Sequence, residues 1–137
     1  MNLFADSSAL AKRYIADEKS EELDGLLESA NSMAVSVLCV PEIVSALCRR
    51  FRERFLTKSQ YATAKAALES DLADATVIAM ADEVLLGAIG LLESFPLRAS
   101  DALQISSALA WQADVFVSAD ARQCSAAKAA GLKVVKL

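Results

Sequence analysis

The stretch Met1–Leu10, MNLFADSSAL, opens the chain with a short apolar segment that ends in an acid. The segment Asn2–Ala5 predicts a β-strand, the polar triplet beginning at Asp6 interrupts it, and helical spacing starts at Ala9. In an open parallel α/β sheet, ligands bind at the carboxyl ends of the strands. We therefore expect Asp6 to lie at the functional edge of a sheet.

The composition indicates a globular protein with an aliphatic core. Hydrophobic residues make up 55% of the 137 residues, and aromatic residues only 6%. This length suits one domain spanning 1–137. No apolar run approaches the roughly 20 residues that a membrane-spanning helix needs, and the first residues lack the basic region of a signal peptide. We expect a cytoplasmic protein with no membrane partner.

The chain contains no histidine and three cysteines without CxxC spacing. This excludes Ser-His-Asp and Cys-His nucleophilic sites and histidine-ligated zinc, and the odd cysteine count argues against a disulfide framework. If the protein is an enzyme, its available groups are carboxylates, hydroxyls, lysine, arginine and bound metal ions.

Strand patterns alternate with helical patterns along the chain, which predicts right-handed βαβ crossovers and a parallel sheet. The fold class is therefore α/β, one domain, with helices on both faces of five short strands. The predicted strands are 2–5, 33–37, 76–80, 114–118 and 132–135. The predicted helices are 8–15, one beginning near 20, one from about 40 to 51, 58–73, 82–95, 102–111 and 120–130.

Several helix ends carry recognisable capping residues. Ser7 or Ser8 is available as the N-cap of the first helix, and Ser100 as that of the helix from 102. The sequence from Thr57 to Gln60 has the capping-box pattern. Gly131 is expected to end the last helix.

Four acids occupy equivalent places relative to these elements. Asp6 and Asp120 each follow a strand at a helix start, and Glu42 and Asp101 each lie in a first helical turn. Clustered carboxylates raise one another's pKa unless a cation lies among them. Oxygen ligands without histidine or cysteine suit Mg²⁺ or Mn²⁺. Such a site favours metal-assisted hydrolysis of a phosphodiester.

The same acids also have a purely structural interpretation. Aspartate is a favoured N-cap, and acids in a first turn are stabilised by the helix dipole. Asp101 is the least cap-like of the four, because it lies on the inward row of Ile105 and Ala108, where we expect the deepest burial. Glu42 follows Pro41 on a mostly apolar helix, and glutamate is a poor N-cap.

A basic run stands out in a chain whose net charge is −4. Its arginines, opposed only by Glu53, would contact a polyanion over a limited face of the protein, or would form a solvated helix face. They are Arg49, Arg50, Arg52 and Arg54.

Four motifs, in order along the whole chain, resemble the PIN-domain ribonucleases, in particular the VapC-type toxins of toxin–antitoxin pairs. They are FADSSALAKRY, VPEIVSAL, LRASDALQISSAL and VFVSADARQ. The resemblance implies a PIN-like three-layer α/β/α fold with a five-stranded parallel sheet. It also implies Mg²⁺ or Mn²⁺ at the carboxyl edge, a homodimer, and a small antitoxin partner that blocks the site.

The resemblance assigns roles to individual residues. It implies catalytic, metal-binding roles for Asp6, Glu42, Asp101 and Asp120, and supporting roles for the hydroxyls of Ser7 and Ser118. Gln104 is a departure, since relatives frequently have histidine three residues after the third acid. Glutamine still donates and accepts hydrogen bonds, so a supporting role is retained.

The sequence therefore predicts a metal-dependent endoribonuclease acting on single-stranded RNA, as the toxin of a toxin–antitoxin pair. The alternative is an inactive PIN-like module that binds RNA or protein. The complete set of acids favours the enzyme. A phosphotransfer enzyme with Asp6 as nucleophile would need a second aspartate two residues later, where Ser8 stands.

Overall fold

Five short strands form one sheet in the computed structural model, which describes residues 1–137. The spatial order is β3-β2-β1-β4-β5, and every neighbouring pair is parallel. The first strand is therefore central, and its carboxyl end lies between those of β2 and β4. The strands are β1 Asn2–Ala5, β2 Ser32–Ser36, β3 Thr76–Ile78, β4 Val115–Ser118 and β5 Lys133–Lys136.

Helices cover both faces of the sheet, as the alternating pattern predicts. They are α1 Ser7–Leu10, α2 Ser20–Ser29, α3 Cys39–Arg52, α4 Lys58–Asp74, α5 Asp82–Ser94, α6 Ala99–Ala110 and α7 Ala121–Ala129, and a 3₁₀ turn, Ala11–Arg13, follows α1. The resulting three-layer α/β/α arrangement confirms the predicted fold class. No helix is long and apolar enough to cross a membrane.

Two hydrophobic cores lie on opposite faces of the sheet because side chains alternate along each strand. Leu3 packs with Ile43 of α3 and Leu68 of α4 on one face. Phe4 packs with Ile105 of α6 on the other, and its ring stacks on that of Phe116 at 5.7 Å. This packing fixes the central strand, and with it the position of the residue that follows.

Two predicted N-caps are wrong. The carboxylate of Asp6, rather than Ser7 or Ser8, caps α1, because the backbone of Asp6 is still extended and its side chain accepts the Ala9 amide. Helix α6 begins at Ala99, three residues earlier than predicted, and its N-cap residue makes no side-chain capping bond. Ser100 therefore lies inside the helix instead of capping it.

Two other predicted helix ends are confirmed. Thr57 and Gln60 form the reciprocal capping box at the start of α4. Gly131 has φ of +99°, in the left-handed region, and directly follows the C-cap of α7. Helix α1 ends at Leu10 and is shorter than the predicted 8–15. A 3₁₀ turn follows it, and Arg13 and Tyr14 bind Asp71 of α4.

Candidate active site

Asp6 lies at the end of the central strand and is fully buried, at 0% exposure. Its amide donates to Val117 of β4 at 3.1 Å, which holds it in the plane of the sheet. Its Oδ1 accepts the Ser8 hydroxyl at 2.7 Å and the Ala9 amide at 2.8 Å. Its Oδ2 is buried and has no hydrogen-bond partner. Asp6 is thus both a helix cap and a carboxylate with one free oxygen.

Burial raises the pKa of Asp6 from 3.8 to about 6. The desolvation of the charged form is the largest cause, and the neighbouring Ser118 hydroxyl, the Ala9 amide and the Ser8 hydroxyl oppose it in part. The negative charge of Asp120 raises the pKa further. The protein thus holds a carboxylate whose charged form gains from any nearby cation.

Glu42 is held in a triangle of hydrogen bonds that joins three elements. Ser7 Oγ, at the start of α1, donates to Glu42 Oε1 on α3 at 2.9 Å. Gln104 Nε2, on α6, donates to the same oxygen at 2.9 Å and to Ser7 Oγ at 2.8 Å. Gln104 is 3% exposed, and its Oε1 has no partner. The structure therefore places Ser7 and Gln104, both predicted as supporting residues of the site, in contact with Glu42.

Asp101 and Asp120 approach the same edge from α6 and α7. Asp101 accepts Arg98 Nε at 3.3 Å and keeps 14% of its side chain exposed. Asp120 is the N-cap of α7, and its Oδ1 accepts the Gln123 amide at 3.0 Å. The expectation that Asp101 is the most deeply buried acid is wrong, because the early start of α6 places it at the open end of the helix. Asp6 is instead the most deeply buried of the four acids.

Two residues at this site, Arg98 and Ser8, were not predicted as site residues from the sequence. Arg98 lies near three of the acids, and its pKa is raised first by its hydrogen bond to Asp101 and less by the charges of Asp120 and Glu42. Ser8 bridges Asp6 to β4, because its hydroxyl is 3.3 Å from that of Ser118. The spacing of Arg98, three residues before Asp101 across a helix start, was the only available signal for either.

The four acids fit a hard cation in their donor chemistry. Each keeps one carboxylate oxygen without a hydrogen bond from the protein, and that of Asp6 is buried. Oxygen donors of this kind suit Mg²⁺ or Mn²⁺. As the side chains stand, no group of three or more acids or cysteines is close enough together to hold a metal ion. Rotation of the carboxylate side chains would have to complete the coordination shell of a metal ion.

A cleft of about 330 Å³ leads from this edge along α3. Ser7 and Glu42 line one end, and Arg49 and Arg50 line the other, with Lys12 also on its wall. The remaining two arginines of the basic run, Arg52 and Arg54, are exposed but do not line this cleft. The structure therefore divides the run into two pairs.

Comparison with known proteins agrees with this architecture. The protein is similar in fold to VapC20 of Mycobacterium tuberculosis, a sarcin-ricin loop cleaving toxin, at 18% identity and a TM-score of 0.72, covering 98% of this chain and 99% of that one. It is similar to a toxin–antitoxin complex from Klebsiella pneumoniae, at 14% identity and a TM-score of 0.71, covering 99% and 97%. It is also similar to VapBC2 of Rickettsia felis, bound to a fragment of its promoter DNA, at 14% identity and a TM-score of 0.71, covering 100% and 99%.

Among curated proteins, no sequence match is found. The family model described as PIN domain matches residues 3–129, which is nearly the whole chain and includes all four acids. With the parallel five-stranded sheet and the acids at its carboxyl edge, the match is decisive: the chain belongs to the PIN domain family.

Proposed function

We propose that the protein is a metal-dependent endoribonuclease that hydrolyses phosphodiester bonds in single-stranded RNA. The observation that carries the proposal is the set of four carboxylates at one sheet edge, each with a free oxygen, in a member of the PIN domain family. A chain without histidine has few other means of activating water near neutral pH.

Each acid has a distinct support in this proposal. Asp6, Glu42, Asp101 and Asp120 would hold Mg²⁺ or Mn²⁺, and the ion would supply polarisation of the phosphodiester and a lowered pKa of bound water. Ser7 and Gln104 fix the orientation of Glu42 through its Oε1, which leaves Oε2 free to act as ligand. The Asp120 amide donates to Ser118 Oγ at 3.0 Å, and this contact positions the last acid at the helix start.

We further propose that the protein is the toxin of a toxin–antitoxin pair, a homodimer in the cytoplasm, and is blocked by a small antitoxin protein. The fold likeness to VapC20 and to the two toxin–antitoxin complexes supports this role. The arginines at positions 49, 50, 52 and 54 are the proposed contacts with RNA phosphates or with an acidic stretch of the antitoxin.

A metal-dependence assay tests the enzymatic proposal. The purified protein should cleave single-stranded RNA with Mg²⁺ or Mn²⁺, and EDTA should stop it. Asp101→Asn should abolish cleavage, because asparagine is an uncharged and much poorer ligand for a hard cation. Ser45→Ala, at an exposed position on α3, is the control and should cleave as the wild type does.

Two results would count against it. Undiminished cleavage in EDTA would contradict the metal-dependent mechanism. RNA binding without any cleavage, under every metal condition, would instead identify an inactive PIN-like binding module.

A further inference from the structure

The corner between α3 and α4 alternates arginines with aromatic residues, in the sequence RRFRERF from Arg49 to Phe55. Phe55 is 66% exposed, which is unusual for a phenylalanine side chain. The guanidinium carbon of Arg50 lies 5.2 Å from the centre of its ring. One face of Phe55 is thus covered by a planar cation, while most of the ring surface stays open to solvent.

The backbone of the corner fixes the position of this ring. The Phe55 amide donates to the Arg50 carbonyl at 2.9 Å, and the Arg54 amide donates to the Phe51 carbonyl at 3.1 Å. Arg54 has φ of +63°, in the left-handed region that arginine rarely adopts. The turn therefore holds the aromatic side chain outward, beside Arg50, instead of folding it into the core.

The corner is continuous with the candidate active site. Arg49 and Arg50 line the cleft whose other end is formed by Ser7 and Glu42. Glu42 precedes this pair by seven and eight residues on one helix, which corresponds to about 11–12 Å. That separation is about two to three nucleotides of a single strand. No carboxylate forms an ion pair with either arginine.

We propose that the stacked pair Arg50–Phe55 is a base-binding platform for single-stranded RNA, and that Arg49 binds a phosphate of the same strand. The inference rests on the proposed ribonuclease function and names how its substrate is held. Exposed aromatic and guanidinium planes stack on unpaired bases, whereas a duplex keeps its bases inaccessible. The platform therefore selects unpaired RNA two to three nucleotides from the acids and is tolerant of base identity.

The test measures the dissociation constant of a fluorescent oligoadenylate ten-mer by anisotropy, in EDTA and at several KCl concentrations. Phe55→Leu keeps the apolar bulk but removes the ring, and it should weaken binding about 5- to 20-fold with an unchanged salt slope. Phe55→Tyr should restore binding. Circular dichroism and thermal melting establish that each variant is folded.

A matched pair of basic residues separates charge from stacking. Arg49→Gln should lower the magnitude of the salt slope by about 0.7, the value for one lost phosphate contact on a single strand. Lys65→Gln removes an exposed lysine of α4 that does not line the cleft, and it should leave the slope unchanged. An abasic site in the strand should weaken binding to the wild type but not further weaken binding to Phe55→Leu.

The outcomes distinguish this inference from the proposed function. If Phe55→Leu binds RNA as tightly as the wild type while the wild type cleaves with Mg²⁺, the platform is wrong and the nuclease stands. If Phe55→Leu loses a co-expressed antitoxin but not RNA, the corner is a protein contact and the inference is overturned. If the wild type neither binds nor cleaves RNA, both are wrong.

Discussion

At the residue scale, the carboxylate of Asp6 caps a helix and still keeps one oxygen free for a ligand, whereas the sequence presented capping and metal binding as alternatives. Its Oδ1 caps α1, while its Oδ2 is buried without a partner. One side chain can do both, because a carboxylate has two oxygens and an N-cap needs only one. Capping thus holds the free oxygen in a fixed place at the end of β1.

The raised pKa of Asp6 predicts how stability depends on pH in metal-free buffer. The folded-state pKa of about 6 exceeds the unfolded value of 3.8, so the native state binds the proton more tightly. Stability is then greatest below the unfolded pKa and falls as the pH rises through 6, by about 3 kcal/mol in total. Asp6→Asn, which keeps a capping oxygen, should lack this loss.

Urea unfolding of the wild type and Asp6→Asn between pH 4 and pH 7 checks this. The free energy of unfolding of the variant should rise relative to the wild type as the pH increases. Asp101→Asn is the matched control, at an acid that is partly exposed and paired with Arg98. Parallel pH profiles for Asp6→Asn and the wild type would contradict the assignment.

At the scale of elements, the edge of the sheet that carries the four acids depends on how closely α5 and α6 approach each other. Ser106 of α6 is buried and donates to the Val84 carbonyl of α5 at 2.6 Å. A Cβ at Gly87 would clash with that hydroxyl, which would then have to move away from the Val84 carbonyl. The contact holds α6, which carries both Asp101 and Gln104.

Two glycines of α5 provide a matched pair of substitutions. Gly90 has nothing within 4 Å of an added Cβ, so Gly90→Ala should stabilise the protein by about 0.5–1 kcal/mol through helix propensity. Gly87→Ala gains the same propensity but displaces the Ser106 hydroxyl, whose lost hydrogen bond costs about 1–3 kcal/mol. It should therefore be no more stable than the wild type, or less stable.

Thermal and urea unfolding of the two variants measure the difference. Adding Ser106→Ala to Gly87→Ala should recover part of the loss, because the clashing atom is then gone. Equal stabilisation by both alanines would show that the helices have room to move apart.

At the scale of the whole molecule, the outer face of α5 is apolar and exposed. Leu85, Leu86, Ile89 and Leu92 are 42%, 68%, 52% and 40% exposed, respectively. Soluble monomeric proteins rarely expose a large contiguous apolar patch, and such a patch marks an interaction site. The proposed homodimer would bury this face.

The proposed homodimer predicts the effect of charge on this face. Leu86→Glu combined with Ile89→Glu should convert a dimer into a monomer, because unpaired carboxylates would be buried between the subunits. Ala62→Glu, at an exposed position on α4, is the control and should stay dimeric. Light scattering coupled to size exclusion gives the mass, and a double variant that remains dimeric would place the interface elsewhere.

The sequence by itself determined the α/β class, the five strands and the place of each acid relative to its strand or helix. Periodicity and capping patterns are local, so Thr57, Gly131 and the strand Asn2–Ala5 could be identified from neighbouring residues alone. For the same reason Asp6, followed at once by a helix, could be recognised as an acid at a strand end.

Only the tertiary structure decided which groups meet through space. The Ser7–Glu42–Gln104 triangle joins residues 35, 62 and 97 positions apart, and no local pattern encodes such contacts. The prediction that Asp101 is the most deeply buried acid was wrong for the same reason, because burial depends on how other elements pack around each helix start. Asp6 follows the central strand and is fully buried, whereas Asp101 lies in the first turn of α6, is partly exposed and pairs with Arg98.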